Sequence, residues 1–118
     1  MDEFKIIRMK RCLNALIVDI SNKSFDVDRI ILFGSVARGD FNERSDLDVC
    51  VVSENIDSRQ RLEIGHYFEE FLEDEIEVDF IFCNMETLME GVSVFQSIRE
   101  EGLILYENIL GNSSGGFR

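Results

Sequence analysis

Positive charge is scarce in this 118-residue sequence, where 12 Lys and Arg stand against 24 Asp and Glu. The net charge of -12 opposes binding that depends on neutralising many phosphates, so polynucleotides are poor candidate partners. The chain also lacks an apolar run near the roughly 20 residues that a membrane-spanning helix needs. Its first residues lack the basic-then-apolar order of a signal peptide, and we expect a cytoplasmic protein.

Cysteine is also sparse, and the three cysteines lie far apart in the sequence, at Cys12, Cys50 and Cys83. An odd number without paired spacing fits neither a disulfide framework nor a zinc site. We therefore expect reduced thiols buried in a cytosolic core.

The length allows one compact domain, because a domain usually needs about 100 to 150 residues to bury a core. We place this domain at residues 1–110, with no room for a second, substrate-binding domain. The Gly- and Ser-rich residues 111–118 carry too little apolar surface to fold and predict a flexible tail.

Hydrophobic periodicity predicts the main elements of the domain. Apolar residues at spacings of three and four predict an amphipathic helix from Phe4 to Ile20. Short β-branched and aromatic runs predict strands at Arg29–Phe33, Leu47–Val52, Ile76–Phe82 and Leu103–Tyr106.

Capping signals predict two more helices. Asp57 and Gln60 have the spacing of a capping box ahead of a helix that extends to Leu72. Ser93 and Gln96 repeat that spacing before a helix that Gly102 would end.

The order of strands and helices predicts an α/β (α+β) domain with a mixed sheet covered by helices on one face. The link from Gly34 to Asp46 has only about a dozen residues, which is short for a parallel crossover, so the first two strands should be antiparallel.

Carboxylates gather on the opposite face of the predicted sheet. Period-2 alternation sets Asp46 and Asp48 apart from their apolar neighbours in the second strand, and Asp79 likewise in the third. Three close carboxylates repel each other unless a cation lies among them, and oxygen ligands suit Mg²⁺ or Mn²⁺. The alternative is that these residues are simply solvated on an open face of the sheet.

Gly34 and Ser35 directly follow the first strand and precede a predicted short helical turn at 36–38. Gly34 would let a phosphate approach the backbone, and Ser35 adds a hydroxyl donor. Other phosphate and cation motifs fail. The P-loop Lys is replaced by Asp40, no G-x-G-x-x-G occurs, and Arg44 breaks an EF-hand loop.

The Gly-Ser pair, ten intervening residues and Asp46-Leu47-Asp48, with Asp79 on a later strand, resemble the minimal nucleotidyltransferases of the DNA polymerase β superfamily. Flanking segments strengthen the resemblance, which extends over almost the whole chain. They are 32–35, 37–39, 45–48, 77–79 and 98–107. Val36 departs from the pattern, because many relatives have a polar or basic residue there.

The resemblance implies a polymerase β-like fold and transfer of AMP from ATP to a hydroxyl acceptor. Gly34 and Ser35 would hold the terminal phosphates, and Arg38 would contact phosphate or form a structural salt bridge. Asp46, Asp48 and Asp79 would be the catalytic carboxylates and bind two Mg²⁺ ions, with Mn²⁺ as a substitute.

The family also suggests an acceptor. Stand-alone minimal nucleotidyltransferases act as antitoxins that adenylylate a tyrosine of a HEPN-domain RNase toxin, and an acidic protein suits a basic partner. We therefore expect a complex with such a toxin. A small-molecule nucleotidyltransferase, or a non-catalytic antitoxin that acts by occlusion, remains the alternative.

Overall fold

The computed structural model describes residues 3–22, 26–40, 42, 46–67 and 76–108. Its elements, in chain order, are α1 Glu3–Asn22, β1 Arg29–Phe33, α2 Gly34–Arg38, β2 Leu47–Val52, α3 Ser58–Tyr67, β3 Val78–Cys83, α4 Met85–Glu90, α5 Val94–Glu101 and β4 Leu103–Glu107. The predicted strands are confirmed, although β3 begins two residues later than expected. The predicted tail at 111–118 and the predicted end of α3 at 68–72 lie outside the described residues.

The four strands form one mixed sheet in the order β3-β2-β1-β4. β1 runs antiparallel to both β2 and β4, whereas β2 and β3 are parallel. The antiparallel pairing inferred from the short link after Gly34 is therefore confirmed. Since β1 ends where β2 and β3 begin, residues that flank these three strands meet at one edge of the sheet.

The main hydrophobic core lies between α1 and one face of the sheet. Met9, Cys12 and Leu16 of α1 pack in one cluster with Ile30 of β1 and Val49 of β2. Leu16, Ile30 and Val49 are almost completely buried, and each such aliphatic side chain contributes about 1.5 to 3 kcal/mol by leaving water. α3 joins the same cluster through Ile64.

The second face of the sheet is also covered, which corrects the expectation of helices on one face only. Ile31 and Phe33 of β1 pack there with Cys50 of β2, Leu88 of α4 and Ile98 of α5. The alternation of acidic and apolar residues in β2 ends at Asp48, because Cys50 and Val52, which lie on the same face as Asp48, are apolar. Asp48 and Asp79 therefore lie at one end of this face, beyond its apolar residues.

The predicted helix caps have different outcomes in the structure. Asp57 Oδ1 accepts from the Gln60 N–H at 2.9 Å and Gln60 Oε1 accepts from the Asp57 N–H at 3.1 Å, so the predicted capping box is confirmed. The prediction for Ser93 is wrong, since this residue has φ 59° and its side chain makes no capping bond. α4 was not predicted, although Asn84 caps it by accepting from the Thr87 N–H at 2.8 Å.

Gly102 ends α5 as predicted, but not through a left-handed conformation. Its φ is -70° and its N–H donates to the Ile98 carbonyl at 2.9 Å. A Cβ at this position would collide with the Ile98 carbonyl and with Ile31, so the close packing of α5 on β1 requires glycine. None of the described helices is long and apolar enough to cross a membrane.

Candidate active site

The candidate site lies at the edge of the sheet where β1 ends and β2 and β3 begin. Asp48 is paired in register with Asp79 on the neighbouring parallel strand. On its other side, Asp48 is paired with Phe33, the last residue of β1, which Gly34 follows directly. Three segments that are distant in sequence thus bring Gly34, Asp48 and Asp79 together, as the motif predicts.

Gly34 and Asp48 are in close contact. Gly34 has φ +77°, and a Cβ on it would overlap Oδ2 of Asp48 and lie 3.0 Å from its Cγ. Glycine is therefore required at position 34 for two reasons, the left-handed backbone and the space taken by the Asp48 carboxylate. The sequence pointed instead to phosphate access as the reason for this glycine.

The fold changes the electrostatics of the Asp48 carboxylate. Burial raises the pKa of Asp48, and the nearby charges of Asp79 and Asp46 raise it further, while Arg38 acts in the opposite direction. The ionised form is thus disfavoured by lost hydration and by like charge. A bound cation would relieve both effects.

The three aspartates share this edge without forming a ready-made metal cage. Asp48 and Asp46 are half-buried, whereas Asp79 is exposed. Within the described part of the chain, no group of three His, Cys, Asp or Glu side chains is arranged to hold a metal ion. Mutual repulsion favours separated carboxylates. The all-oxygen donor set and the raised pKa of Asp48 nevertheless fit a hard divalent cation such as Mg²⁺.

Arg38, a predicted phosphate contact, forms two exposed ion pairs. Its Nε lies 3.2 Å from Asp40 Oδ2, and its Nη1 lies 3.4 Å from Glu101 Oε2. The second pair joins the end of α2 to the end of α5, across 63 residues of sequence. The salt-bridge alternative for Arg38 therefore has direct geometric support, and Glu101 is a neighbour that no local sequence signal indicates.

Ser35 occupies the second position of α2 and is half-buried. Its carbonyl accepts from the Asp40 N–H at 3.1 Å, which holds the turn that follows α2. Gly39 completes this turn with φ 82°. The segment after β1 is thus a compact turn whose residues lie beside Asp48.

A separate pocket of about 210 Å³ lies between the sheet and α4 and α5. Ile31, Leu88, Ile98 and Ile104 are among the residues that line it, and none of the three aspartates does. The pocket is therefore not the site that the motif defines.

The nucleotidyltransferase domain family matches residues 15–105, which is most of the chain and includes all the candidate site residues. The chain belongs to this family. The predicted resemblance and the predicted enzyme class, a nucleotidyltransferase, are thereby confirmed.

Individual relatives of this nucleotidyltransferase match it to different extents. A protein of Methanocaldococcus jannaschii, named as a candidate protein adenylyltransferase, is 62% identical over 26 residues. That match spans 22% of this chain and 26% of the relative.

Solved structures share the fold. A toxin-antitoxin crystal structure with AMP-PNP has a TM-score of 0.60 at 22% identity, covering 86% of this chain and 77% of that one. A structure described as a tri-AMPylated Shewanella oneidensis HEPN toxin in complex with an MNT antitoxin has a TM-score of 0.54 at 18% identity. It covers 89% of this chain and 77% of that one. The predicted α/β nucleotidyltransferase fold with a mixed sheet is confirmed by the family match and by this structural agreement.

Proposed function

We propose that this nucleotidyltransferase transfers AMP from ATP to a tyrosine hydroxyl of a HEPN-type toxin and thereby acts as its antitoxin. The observation that carries the proposal is the meeting of Gly34, Asp48 and Asp79 at one edge of the sheet in a chain of this family. The solved relatives described as a toxin-antitoxin with AMP-PNP and as a complex of an AMPylated HEPN toxin support the nucleotide and the partner.

The proposed reaction assigns a role to each side of the site. The turn at Gly34 and Ser35 binds the terminal phosphates and orients the triphosphate. Asp46 and Asp48 would hold divalent cations, with Asp79 completing the set of ligands, and these cations would offset the charge of a triphosphate of about -4 beside three carboxylates. Asp79, the most exposed of the three, faces the acceptor.

The bonds change at the α-phosphorus. The tyrosine oxygen forms a bond to this phosphorus, and the bond between the phosphorus and the β-phosphate oxygen breaks, which releases pyrophosphate. The proton of the tyrosine hydroxyl passes to a carboxylate oxygen of Asp79. Asp79 is suited to this step because its side chain is open to an incoming residue.

Charge supports a protein acceptor. The chain carries a net charge of -12, and its candidate site adds three carboxylates, so an anionic polynucleotide would be repelled. An RNA-cleaving toxin needs a basic surface to bind its own substrate, and this surface would complement the acidic nucleotidyltransferase.

The test uses a purified HEPN-type toxin as the partner. We expect incubation with ATP and Mg²⁺ to add the mass of one or more AMP groups to that partner. Replacing the acceptor tyrosine with Phe, or using Asp48→Asn, should abolish the addition, whereas Glu63→Gln, an exposed change on α3, should not. A partner that is neutralised with its mass unchanged would leave occlusion alone as the mechanism.

A further inference from the structure

Two of the three cysteines form a pair that the sequence does not predict. The Sγ atoms of Cys50 and Cys83 are 3.7 Å apart, although the residues are separated by 33 positions. Cys50 is paired in register with Ile81, and Cys83 with Val52, so the cysteines are diagonal neighbours on adjacent strands. All three cysteines are free, as expected, and Cys12 and Cys50 are buried, whereas Cys83 is only half-buried.

The two thiols differ in access. Cys50 is completely buried in the sheet, whereas Cys83 is half-buried at the end of β3, an edge strand. A small solute can therefore reach Cys83 first, and Cys50 lies directly behind it. Cys12 is the contrasting case, because it lies on the buried face of α1 and packs in the other core cluster.

Hydrogen bonding increases this difference in reactivity. The contact with Cys50 lowers the pKa of the Cys83 thiol, although burial and Glu54 act in the opposite direction. Burial raises the pKa of Cys12 to about 12, which keeps that thiol protonated and unreactive. The exposed member of the pair is thus also the more nucleophilic one.

We propose that Cys50 and Cys83 form an oxidation site at which a peroxide produces a reversible disulfide between β2 and β3. The partly exposed sulfur reacts first, and the buried sulfur behind it is the resolving thiol. All the reacting protein atoms are already adjacent in the reduced structure.

The reaction balances in two steps. Cys83 attacks hydrogen peroxide, which gives its sulfenic acid and one water molecule. The Cys50 thiol then displaces hydroxide from that sulfur, which forms the S–S bond and a second water molecule. The two sulfurs lose two electrons in total, and the peroxide gains them.

The disulfide would act on the candidate active site through β2. The two sulfurs are 3.7 Å apart in the reduced structure, and a disulfide bond is about 2.0 Å long, so the sulfurs have to move closer together when the bond forms. We expect part of this movement to be a shift of β2 against β3. Cys50 lies two residues from Asp48 on the same strand, so the shift displaces Asp48 relative to Asp79. This effect, unlike the oxidation itself, rests on the proposed function.

The chemical test uses the full chain and hydrogen peroxide. After oxidation, unfolding and alkylation, we expect one alkylated cysteine, Cys12, and a peptide in which Cys50 is linked to Cys83. A thiol reductant should restore three alkylated cysteines. Cys12→Ala should keep the link, while Cys83→Ser and Cys50→Ala should each lose it. Circular dichroism checks that each variant is folded, and the two pair variants provide independent tests should either fail to fold.

Three results would overturn the disulfide. In the first, all three thiols remain free after peroxide. In the second, Cys83 is oxidised to a sulfinic acid while Cys50 stays reduced. In the third, the disulfide joins two chains and its yield depends on the protein concentration. Mass spectrometry distinguishes all of them without any activity measurement.

The activity arm tests the coupling to Asp48. We expect peroxide to lower AMP transfer by the wild-type protein at least several-fold, and a thiol reductant to restore it. AMP transfer by Cys83→Ser should be the same before and after peroxide. A linked protein with unchanged transfer would overturn the coupling. Absence of transfer before oxidation would contradict the proposed function and leave the thiol result standing.

Discussion

The carboxylate of Asp48 lies in the space that a side chain at position 34 would occupy, so Gly34 and Asp48 fit together across two strands. This contact fixes the end of β1 against the start of β2. It also keeps the Asp48 carboxylate beside the turn that would bind the triphosphate. The contact therefore links the fold of the domain to its proposed chemistry.

Gly34→Ala should destabilise the protein more than Gly39→Ala. Both glycines have φ near +80°, which costs an alanine about 1 to 2 kcal/mol, but a Cβ at Gly39 meets nothing within 4 Å. Only Gly34→Ala adds the collision with Asp48. Thermal unfolding measures the difference, with about 4 to 8 °C expected per kcal/mol in a small domain.

A double variant checks the cause of that difference. In an Asp48→Ala background, Gly34→Ala should cost little more than Gly39→Ala does, because the colliding Oδ2 and Cγ are gone and only the Cβ at position 48 remains, at 3.3 Å. An unchanged cost in this background would show that Asp48 is not the obstacle.

Asp48→Asn should abolish AMP transfer and slightly raise the melting temperature measured without divalent cations. The pKa of Asp48 is raised by burial and by Asp79 and Asp46, so the ionised carboxylate destabilises the fold at neutral pH. Removing the charge relieves this strain. A melting temperature that falls together with activity would indicate a structural role, and Glu63→Gln should change neither quantity.

The role of Arg38 can be tested by comparing Arg38→Ala with a variant of its ion-pair partner Glu101. If the guanidinium binds phosphate, Arg38→Ala should raise the KM for ATP, while Glu101→Gln should leave it unchanged. If Arg38 only joins α2 to α5, the two variants should behave alike. We expect the first pattern, with little change in thermal stability from either variant, because exposed ion pairs contribute little.

Ionisation of Asp28 should lower the stability of the folded protein as the pH rises. Burial raises the pKa of Asp28, and Asp26 and Glu54 add to the effect. The folded state therefore holds the proton more tightly than the unfolded state, and stability falls as pH rises from 3.8 through the raised value. Asp28→Asn should remove this part of the decline, seen as a smaller drop in melting temperature toward neutral pH. An identical pH profile in both proteins would contradict the assignment.

Local patterns predicted the elements of this fold well, because β1 and β2 are short runs of buried β-branched residues and Asp57 caps its helix within one turn. Contacts between distant segments were not predictable. Cys50 meets Cys83 and Arg38 meets Glu101 only because the sheet order and the position of α5 bring them together.

The same limit applies to the candidate site. The Gly34-Ser35 and Asp46-x-Asp48 spacing predicted which residues meet, because the residues of a family motif lie together in the folded proteins of that family. It could not indicate that the Asp48 carboxylate fills the space beside Gly34. Nor could it indicate that, among the described residues, the three aspartates do not form a preformed cation site. Those features depend on side-chain placement between strands.

The most direct test of nucleotidyl transfer follows two labels in parallel. ATP labelled on the α-phosphate and ATP labelled on the γ-phosphate are incubated separately with the protein, Mg²⁺ and the HEPN-type partner. We predict that the α-label becomes covalently attached to the partner and that the γ-label leaves as pyrophosphate, with both signals lost in Asp48→Asn. Attachment of the γ-label, or of neither label while the partner is neutralised, would contradict this prediction.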